Sequence, residues 1–275
     1  MRNVLFCPPT YFDVIDVKNP FMQGKAPVYK ELAQRQWEAA RQAFAAAGCG
    51  LKTIEAVPGL EDMVFAANQV FAGVTPVGEK FVVPSNMRHP SRGREVPHFI
   101  KYFEAAGYRV INLNLTKGEF LEGGGDLLWS IDEKLIWAGY GFRSSESGVQ
   151  QFASAMRLLG IEVVTLELCD PRFYHLDTCL APLTPQAVLI YPGAFTEAAL
   201  ALIRKHAAYV YEVTEEEALG FVCNGVSANG QFITSRMTPN LERALQAEKI
   251  NPVLVDTSEF EKSGGSVCCL KQFMP

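Results

Sequence analysis

Apolar residues recur at helical spacing in three stretches of the chain, and each stretch ends at a glycine. The stretches and their glycines are 29–47 with Gly48, 96–106 with Gly107, and 149–159 with Gly160. In the first stretch, Trp37, Ala40 and Phe44 fall on one helical face. Apolar positions three or four residues apart share a helix face, and glycine is favoured just after a helix ends. The pattern therefore predicts three amphipathic helices.

Two further helices are predicted from the residues that begin them. Thr196 and Thr238 are suited to cap helix N-termini, and Pro239 is favoured in a first turn. We expect these helices to extend to about 207 and 249. Strand-like runs follow the five helices, at 51–57, 108–113, 161–168, 209–213 and 253–255. The three glycines lie 59 and 53 residues apart, a period typical of repeated supersecondary units.

Additional strand-like runs lie between these units. They cover 63–74, 80–84, 127–137, 179–191 and 232–235. A doubly wound sheet would supply one strand for each helix, so these runs are too many for that fold. The sequence therefore predicts an α/β chain of five ββαβ-like units closing around an axis. No linker-like or low-complexity stretch interrupts it, which predicts a single domain over 1–275.

Composition and charge restrict the partners. Of the 275 residues, 48% are hydrophobic and 20% are charged, and the formal net charge is −5 with the basic residues dispersed. These values are typical of a globular domain and unfavourable for binding nucleic acid or an anionic membrane. No apolar run reaches the ~18 residues of a membrane span. We expect neither a nucleic-acid nor a membrane partner, and a homo-oligomer stays open.

The cysteines and histidines do not follow the spacing of metal sites. Seven cysteines include no CxxC pair, and four histidines include no HExxH motif. We therefore predict no metal. No signal-peptide-like core occurs near the start, so we expect reduced thiols and a cytoplasmic protein.

A glycine-rich segment carries two acids. In 120–126, three glycines separate Glu122 from Asp126. Glycine permits a tight turn and close approach of a ligand, and the flanking carboxylates are suited to a cation. The alternative is a hairpin with solvated acids.

Two later segments carry groups suited to proton transfer and nucleophilic attack. If 173–178 is a strand, His175 and Asp177 face the same side, and the carboxylate orients the imidazole. The alternative is a structural histidine. In 263–270, a glycine turn presents Cys268 and Cys269, which suits a nucleophile. The alternatives there are two buried thiols on a last strand, or a redox pair.

Seven segments together resemble one enzyme superfamily, in the expected order along nearly the whole chain. They are 11–14, 19–22, 62–68, 120–126, 137–143, 173–178 and 263–270. The resemblance is to the guanidine-modifying enzymes, or penteins: arginine deiminases, arginine dihydrolases, dimethylarginine dimethylaminohydrolases and amidinotransferases. The first two segments look like the dihydrolase type.

The resemblance implies a five-bladed α/β propeller with an axial site and no metal or organic cofactor. It gives Cys269 as nucleophile, with Cys268 as the alternative if one residue fewer separates the glycines from the cysteine. His175 and Glu122 are its implied catalytic partners. The implied substrate-binding residues are Asn19, Asp62, Asn68, Arg88, Asp126, Arg143 and Asp177.

The implied reaction is hydrolysis of a small-molecule guanidino substrate through a covalent thiouronium, as in arginine dihydrolases and deiminases. Alternatives are dimethylarginine hydrolysis and amidino transfer. A ribosome-associated binding module of the same fold is the non-enzyme alternative. The presence of Asp62, Glu122, His175 and a terminal cysteine weighs against that module.

Two positions depart from parts of this superfamily. Asn68 stands where deiminases and dimethylaminohydrolases carry aspartate, whereas the dihydrolase branch carries asparagine. Asparagine can donate a hydrogen bond to a ureido oxygen, which we expect to retain citrulline for a second hydrolysis. Relatives place an arginine for the substrate α-carboxylate near Asn86. We expect Arg88, on the same strand face, to replace it; otherwise Arg143 holds the carboxylate alone.

Overall fold

The computed structural model describes residues 2–24 and 27–275. Within these residues, fifteen strands pair into five separate three-stranded sheets. The strands are β1 (Asn3–Phe6), β2 (Gly50–Thr53), β3 (Val70–Val74), β4 (Lys80–Pro84), β5 (Arg109–Val110), β6 (Leu127–Trp129), β7 (Leu135–Tyr140), β8 (Glu162–Glu167), β9 (Leu180–Thr184), β10 (Ala187–Ile190), β11 (Tyr209–Glu212), β12 (Val226–Ala228), β13 (Gln231–Thr234), β14 (Asn251–Leu254) and β15 (Lys271–Met274).

All five sheets share one topology. The middle strand is antiparallel to one neighbour and parallel to the other; β7, for example, is antiparallel to β6 and parallel to β8. Parallel neighbours need a long crossover, and in each sheet a helix supplies it. This is the ββαβ order that the sequence predicts.

The described residues form nine α-helices. They are α1 (Lys30–Ala46), α2 (Pro90–Gly93), α3 (Val96–Ala105), α4 (Gly123–Asp126), α5 (Glu146–Leu158), α6 (Glu197–His206), α7 (Glu215–Leu219), α8 (Pro239–Ala247) and α9 (Ser258–Glu261). The five crossover helices are α1, α3, α5, α6 and α8, which confirms all five predicted helices. No helix in the described ranges has both the length and the apolarity to cross a membrane.

The predicted helix ends are confirmed by their backbone geometry. Thr196 and Thr238 accept hydrogen bonds from the backbone N–H groups of Ala199 and Leu241, as N-caps do. Gly48, Gly107 and Gly160 follow their helices with φ of +79°, +83° and +76°. This left-handed backbone is favourable for glycine and ends each helix.

The first sheet combines both ends of the chain. Strand β1 pairs in parallel with β2 and antiparallel with β15, with Val4 opposite Phe273. Helix α1 packs behind β1, where Trp37 and Phe44 meet the ring of Phe6 edge-on at centroid distances of 6.4 and 5.6 Å. Because β15 begins directly after Cys269 and Leu270, this pairing also anchors the cysteine turn.

Several predicted strand runs are wrong in extent. Residues 61–64 form a 3-10 turn, so only Val70–Val74 of the run 63–74 is a strand. The run 127–137 contains β6 and the first part of β7, and the run 179–191 contains all of β9 and β10. Within the runs 51–57 and 108–113, only the residues of β2 and β5 are strands. A continuous apolar run near the core has no period of two, so it does not separate strand from buried turn.

Candidate active site

Glu122 and His175 form a buried pair. Glu122 directly precedes α4, and His175 precedes the 3-10 turn Leu176–Thr178. The imidazole Nε2 lies 2.8 Å from Glu122 Oε2. A carboxylate in this position orients an imidazole for proton transfer.

The predicted strand around His175 is wrong. Residues 176–178 form a 3-10 turn, so the alternation of a strand does not apply and the two ionisable side chains have different partners. His175 contacts Glu122, whereas Asp177 contacts Cys269. The segment therefore brings two separate functional contacts to the site.

Arg143 contacts the same carboxylate oxygen of Glu122 as His175 does. Its Nη1 lies 2.7 Å from Glu122 Oε2, and its Nη2 donates to the carbonyl of Lys18. Burial acts to raise the pKa of Glu122, but Arg143 and His175 outweigh it and lower that pKa below its ordinary value. Since Glu122 and Asp126 are both buried, the alternative of a hairpin with solvated acids is wrong.

Asp126 binds groups of the protein itself and does not line the cavity described below. Its Oδ1 accepts from the N–H of Leu176, and its Oδ2 accepts from the N–H and hydroxyl of Ser144. Burial raises the pKa of Asp126 to about 6. Asp126 thus joins the segments that carry His175 and Arg143.

Cys269 lies between a carboxylate and an amide. Its Sγ is 3.1 Å from Asp177 Oδ2 and 3.3 Å from Asn224 Nδ2. Burial, and then the Asp177 carboxylate, raise the pKa of the Cys269 thiol well above its ordinary value. The thiol is therefore protonated and donates to Asp177. Burial also raises the pKa of Asp177, to about 6.

Asn224 is a site residue that the sequence does not reveal. Its Oδ1 accepts hydrogen bonds from the N–H groups of Ser266 and Cys269, and its Nδ2 reaches Asp177 O as well as the thiol. It therefore holds the cysteine turn against the segment of Asp177. A single asparagine within an apolar stretch carries no local pattern that would predict this role.

Cys269 opens into a cavity of about 310 Å³, here called the candidate active-site cavity. Its walls are formed by Lys18, Asn19, Met22, Asp62, Phe65, Asn68, Arg92, Arg143, Tyr174, His175, Ser263, Gly265 and Cys269. Asp62 Oδ1, the amide nitrogen of Asn68 and the hydroxyl of Ser263 are buried without a hydrogen-bond partner in the described chain, whereas Asp62 Oδ2 lies 2.9 Å from Lys18 Nζ. An unsatisfied buried polar group costs ~1–3 kcal/mol, so these atoms favour a polar ligand.

Cys268 lines a different cavity. That cavity, of about 590 Å³, is here called the Lys271 cavity, and Arg2, Trp129 and Phe273 also contribute to its walls. Lys271 Nζ lies 3.6 Å from Cys268 Sγ. The two cysteines stand in a turn before β15, and of the two, Cys269 shares a cavity with His175.

Arg88 does not line the candidate active-site cavity. Its backbone N–H donates to Glu122 Oε1, while its exposed guanidinium lies over the ring of Phe120. The predicted strand face shared with Asn86 is wrong, because Asn86 makes only an isolated bridge to Leu121 and the chain bends at Arg88.

Two cations missed by the sequence reasoning, Arg92 and Lys18, do line this cavity. Arg92 Nη1 donates to Asn68 Oδ1 at 3.0 Å and Nη2 pairs with Glu95. Lys18 Nζ forms an ion pair with Asp62 at 2.9 Å. The spacing of Arg92 and Glu95, three residues apart, could have indicated the first. No comparable spacing in the sequence marks Lys18 as a residue of the cavity.

Asn19 joins the N-terminal segment to the cysteine turn. Its Nδ2 donates to the carbonyl of Ser263, and its Oδ1 caps the 3-10 turn Pro20–Met22.

Across residues 2–24 and 27–275, no three His, Cys, Asp or Glu side chains are grouped to hold a metal ion.

Two named relatives align with nearly the whole chain, including the residues of the candidate active site. The chain is 36% identical to the N(G),N(G)-dimethylarginine dimethylaminohydrolase of Mycobacterium tuberculosis, over 100% of this chain and 86% of that protein. It is 35% identical to the bifunctional arginine dihydrolase/ornithine cyclodeaminase ArgZ of Synechocystis, over 97% of this chain but 37% of that protein. The chain thus spans little more than a third of the bifunctional relative.

A solved structure shares the fold closely. The N-terminal domain of ArgZ, an arginine dihydrolase, was crystallised as a cysteine-to-serine mutant bound to its substrate; it superposes with a TM-score of 0.91 at 33% identity, over 99% of this chain and 98% of that one. The family model described as "N,N dimethylarginine dimethylhydrolase, eukaryotic" matches residues 9–273. The chain therefore belongs to that dimethylarginine dimethylhydrolase family.

Proposed function

We propose that this protein hydrolyses the guanidino group of L-arginine, with Cys269 as the nucleophile. One observation carries the proposal: a cavity in which Cys269 and His175 share the walls with Asp62, whose Oδ1 has no partner in the described chain. A guanidinium is a planar cation with N–H donors along its edges, and carboxylates bind it with fixed geometry. The relatives named for hydrolysis of arginine or methylarginine support the same class of reaction.

The first half-reaction releases ammonia. The Cys269 proton passes to His175, and Sγ attacks the guanidino carbon. His175 then gives the proton to a terminal nitrogen, the C–N bond breaks, and ammonia leaves a thiouronium on sulfur. Glu122, ionised and 2.8 Å away, stabilises the imidazolium between these transfers. The bound cation lowers the pKa of the thiol, which burial keeps high in the empty site.

The second half-reaction releases the ureido product. His175, neutral again, takes a proton from water as the oxygen attacks the thiouronium carbon. The C–S bond breaks, Cys269 is restored, and citrulline forms.

Asn68 supports a second hydrolysis in the same cavity. Its Nδ2 is a buried N–H donor without a partner in the described residues, and a ureido oxygen is an acceptor. Cys269 attacks the ureido carbon, and ammonia leaves a thiocarbamate on sulfur. A second water then displaces the thiol, and the carbamate that remains on the ornithine nitrogen breaks down to ornithine and carbon dioxide. In total, arginine and two waters give ornithine, two ammonia and carbon dioxide. Aspartate at this position could only accept, so it would not hold the ureido oxygen.

Dimethylarginine hydrolysis is the second candidate, and the family match over residues 9–273 favours it. The same attack by Cys269 would release dimethylamine in place of ammonia and would stop at citrulline. The two candidates differ in substrate and in the number of hydrolyses.

A mass balance separates the candidates. Ammonia, dimethylamine, citrulline and ornithine are counted per molecule of L-arginine or asymmetric dimethylarginine consumed. Two ammonia with ornithine support the dihydrolase; one ammonia with citrulline overturns the second hydrolysis and leaves a deiminase. Dimethylamine from the methylated substrate supports the second candidate. No turnover of either substrate by the folded protein overturns the proposed function.

The variant Asn68→Asp tests the assignment of the second step. Because a carboxylate cannot donate to the ureido oxygen, the ammonia released per arginine should fall from about two to about one. An unchanged ratio would show that Asn68 does not retain citrulline. The matched control is Asn86→Asp, an exposed asparagine outside the cavity walls.

We also infer that the five units close around a pseudo-fivefold axis as a propeller, in one domain. The support is the repeated topology and the pairing of β15 with β1, which joins the last unit to the first. The seven free thiols, Cys269 among them, support function in a reducing compartment such as the cytoplasm.

A further inference from the structure

The Lys271 cavity lies apart from the residues of the proposed reaction. Its described wall residues include none of those that line the candidate active-site cavity; Cys268 faces the first cavity and Cys269 the second. Trp129, Ile131 and Phe273 in its wall are half-buried, so the cavity opens to the surface. It is therefore accessible to a small molecule that does not enter the candidate active-site cavity.

The charged side chains of this wall are both positive. They are Arg2 and Lys271, and no aspartate or glutamate belongs to the described wall, although the whole chain has a formal net charge of −5. Arg2 is paired at 3.0 Å with Glu133, which lies outside that wall. The cavity is therefore a positive region in an acidic protein, and it favours an anion.

The Lys271 ammonium has only weak partners among the described residues. Its side chain belongs to a residue that is 7% exposed, and Nζ lies 3.6 Å from Cys268 Sγ and 4.5 Å from the centre of the Phe273 ring. The charge lowers the pKa of Asp177, but the two side chains form no ion pair. A thiol is a weak acceptor, and a buried charge is costly unless an opposite charge accompanies it. Since an ammonium has three donors, those that do not face Cys268 can bind an anion.

Most of the remaining wall is apolar, and its aromatic rings are held in place. The Trp129 indole donates from Nε1 to the carbonyl of Ala72 at 2.9 Å, and it stacks on Phe71 at a centroid distance of 5.4 Å. The Phe273 ring lies 3.6 Å from the guanidinium carbon of Arg2. Aromatic surfaces that are already in place bind an apolar group with little cost of ordering side chains.

We propose that the Lys271 cavity is a second ligand site, which binds a small carboxylate that carries an apolar or aromatic body. The carboxylate pairs with the Lys271 ammonium, and the body packs against Trp129 and Phe273. One ammonium in a mostly apolar wall suits a monoanion, whereas a phosphate is better served by a cluster of arginine donors. Because both wall charges are positive, a guanidinium is repelled, so this ligand differs in class from the proposed substrate.

Benzoate and its neutral isostere benzamide test the site. Their dissociation constants are measured by calorimetry with the unaltered protein, Lys271→Met and Lys271→Arg. We expect Lys271→Met to weaken benzoate by at least about tenfold, the value of one charged hydrogen bond, and to change benzamide by less than about twofold. Lys271→Arg keeps the charge, so benzoate should stay within about threefold of its original affinity. Equal changes for both compounds, or no benzoate binding by the unaltered protein, would overturn the inference.

Lys18→Met is the matched control for the location of the site. Lys18 is as buried as Lys271 but lines the candidate active-site cavity. Benzoate affinity should therefore change by less than about twofold in Lys18→Met. If Lys18→Met weakens benzoate and Lys271→Met does not, the carboxylate binds in the candidate active-site cavity and the inference is wrong.

Acetate and inorganic phosphate test the class of ligand. Acetate lacks the apolar body, so we expect it to bind at least about tenfold more weakly than benzoate. If acetate binds as tightly as benzoate, the aromatic walls contribute nothing. If phosphate binds more tightly than benzoate, the cavity is a general oxyanion site. Either result overturns the assignment to a carboxylate with an apolar body.

A charge inserted elsewhere in the wall makes the test independent of the folding of Lys271→Met. Ile131 lines the Lys271 cavity from the turn between β6 and β7. Ile131→Glu adds a negative charge there, so benzoate should bind about threefold to tenfold more weakly while benzamide is unchanged. Val77→Glu, in the corresponding turn between β3 and β4, is the control because Val77 is exposed and lies outside the wall. Unchanged benzoate affinity in Ile131→Glu would overturn the inference and leave the proposed function, which is read from turnover of L-arginine, unaffected.

Discussion

Two neighbouring cysteines line two different cavities. Cys268 is 6% exposed and Cys269 is 3% exposed, so burial does not distinguish them. Cys269 shares the candidate active-site cavity with His175 and contacts Asp177. Cys268 lines the Lys271 cavity, with the ammonium of Lys271 near its sulfur. The comparison shows that the partners of a thiol, more than its burial, decide what chemistry it can perform.

The protein's own groups raise the pKa of Cys268 less than that of Cys269, and would by themselves favour Cys268 as the thiolate. Burial raises the pKa of Cys268 to about 11; Lys271 acts in the opposite direction, and Asp177 raises this pKa as well. For Cys269, the Asp177 carboxylate adds to the effect of burial, and the pKa is raised well above its ordinary value. Under the proposed function, a cationic substrate in the candidate active-site cavity lowers the pKa of Cys269, which lines that cavity, more than that of Cys268, which does not. The assignment of Cys269 therefore depends on the occupied site.

The largest expected effect is the fall in kcat when the Cys269 thiol is removed. We expect Cys269→Ser to lower kcat for L-arginine by at least about a thousandfold, because a serine hydroxyl is far harder to ionise. Cys268→Ser should lower kcat by less than about fivefold and destabilise the fold by about 1 kcal/mol, since it places a hydroxyl in a partly apolar cavity. Steady-state kinetics and thermal unfolding of both variants check this. The opposite ranking would assign the nucleophile to Cys268.

The second-largest expected effect is a fall in kcat/KM for L-arginine at acidic pH. The pKa of Asp177 is about 6, so this carboxyl is ionised at neutral pH and becomes neutral below that value. A neutral Asp177 does not attract a guanidinium, and we expect kcat/KM for L-arginine to fall as the pH drops through about 6. The measurement is a pH–rate profile from about pH 4.5 to 9.

Binding without turnover separates Asp177 from other titrating groups. In Cys269→Ser, the affinity for L-arginine should fall in acid over the same range. Adding Asp177→Asn should weaken binding and remove that pH dependence. If the fall persists with Asp177→Asn, another group is responsible.

The sequence predicts the repeat well because each unit carries local signals. Thr196 and Thr238 begin helices, and Gly48, Gly107 and Gly160 end them. These signals act within a few residues, so they survive without knowledge of the tertiary fold. Strand bounds are predicted less well, because β2 and β5 are only four and two residues long.

The site is predicted where a segment carries its own pattern and missed where contacts cross the chain. Glu122, His175 and Cys269 stand in segments with recognisable spacing. Asn224 and Lys18 reach the site from other units, and no local pattern marks them. The prediction for Arg88 assumes that it lies on a strand. The chain bends at this residue instead, and its side chain does not line the cavity. Long-range juxtaposition is the part that the sequence does not carry.

The smallest expected effect is a shift in the pH dependence of kcat/KM when Lys271, in the wall of the other cavity, is replaced. Lys271 lines the cavity of Cys268, yet its ammonium lowers the pKa of Asp177 beside Cys269. Lys271→Met removes that positive charge, so the pKa of Asp177 should rise and the acid limb of kcat/KM should move to higher pH. At about pH 8 and above, where Asp177 is ionised in both proteins, the variant should match the parent. Lys271→Arg keeps the positive charge, so its acid limb of kcat/KM should match that of the parent. If the acid limb does not move in Lys271→Met, the two cavities are electrostatically independent.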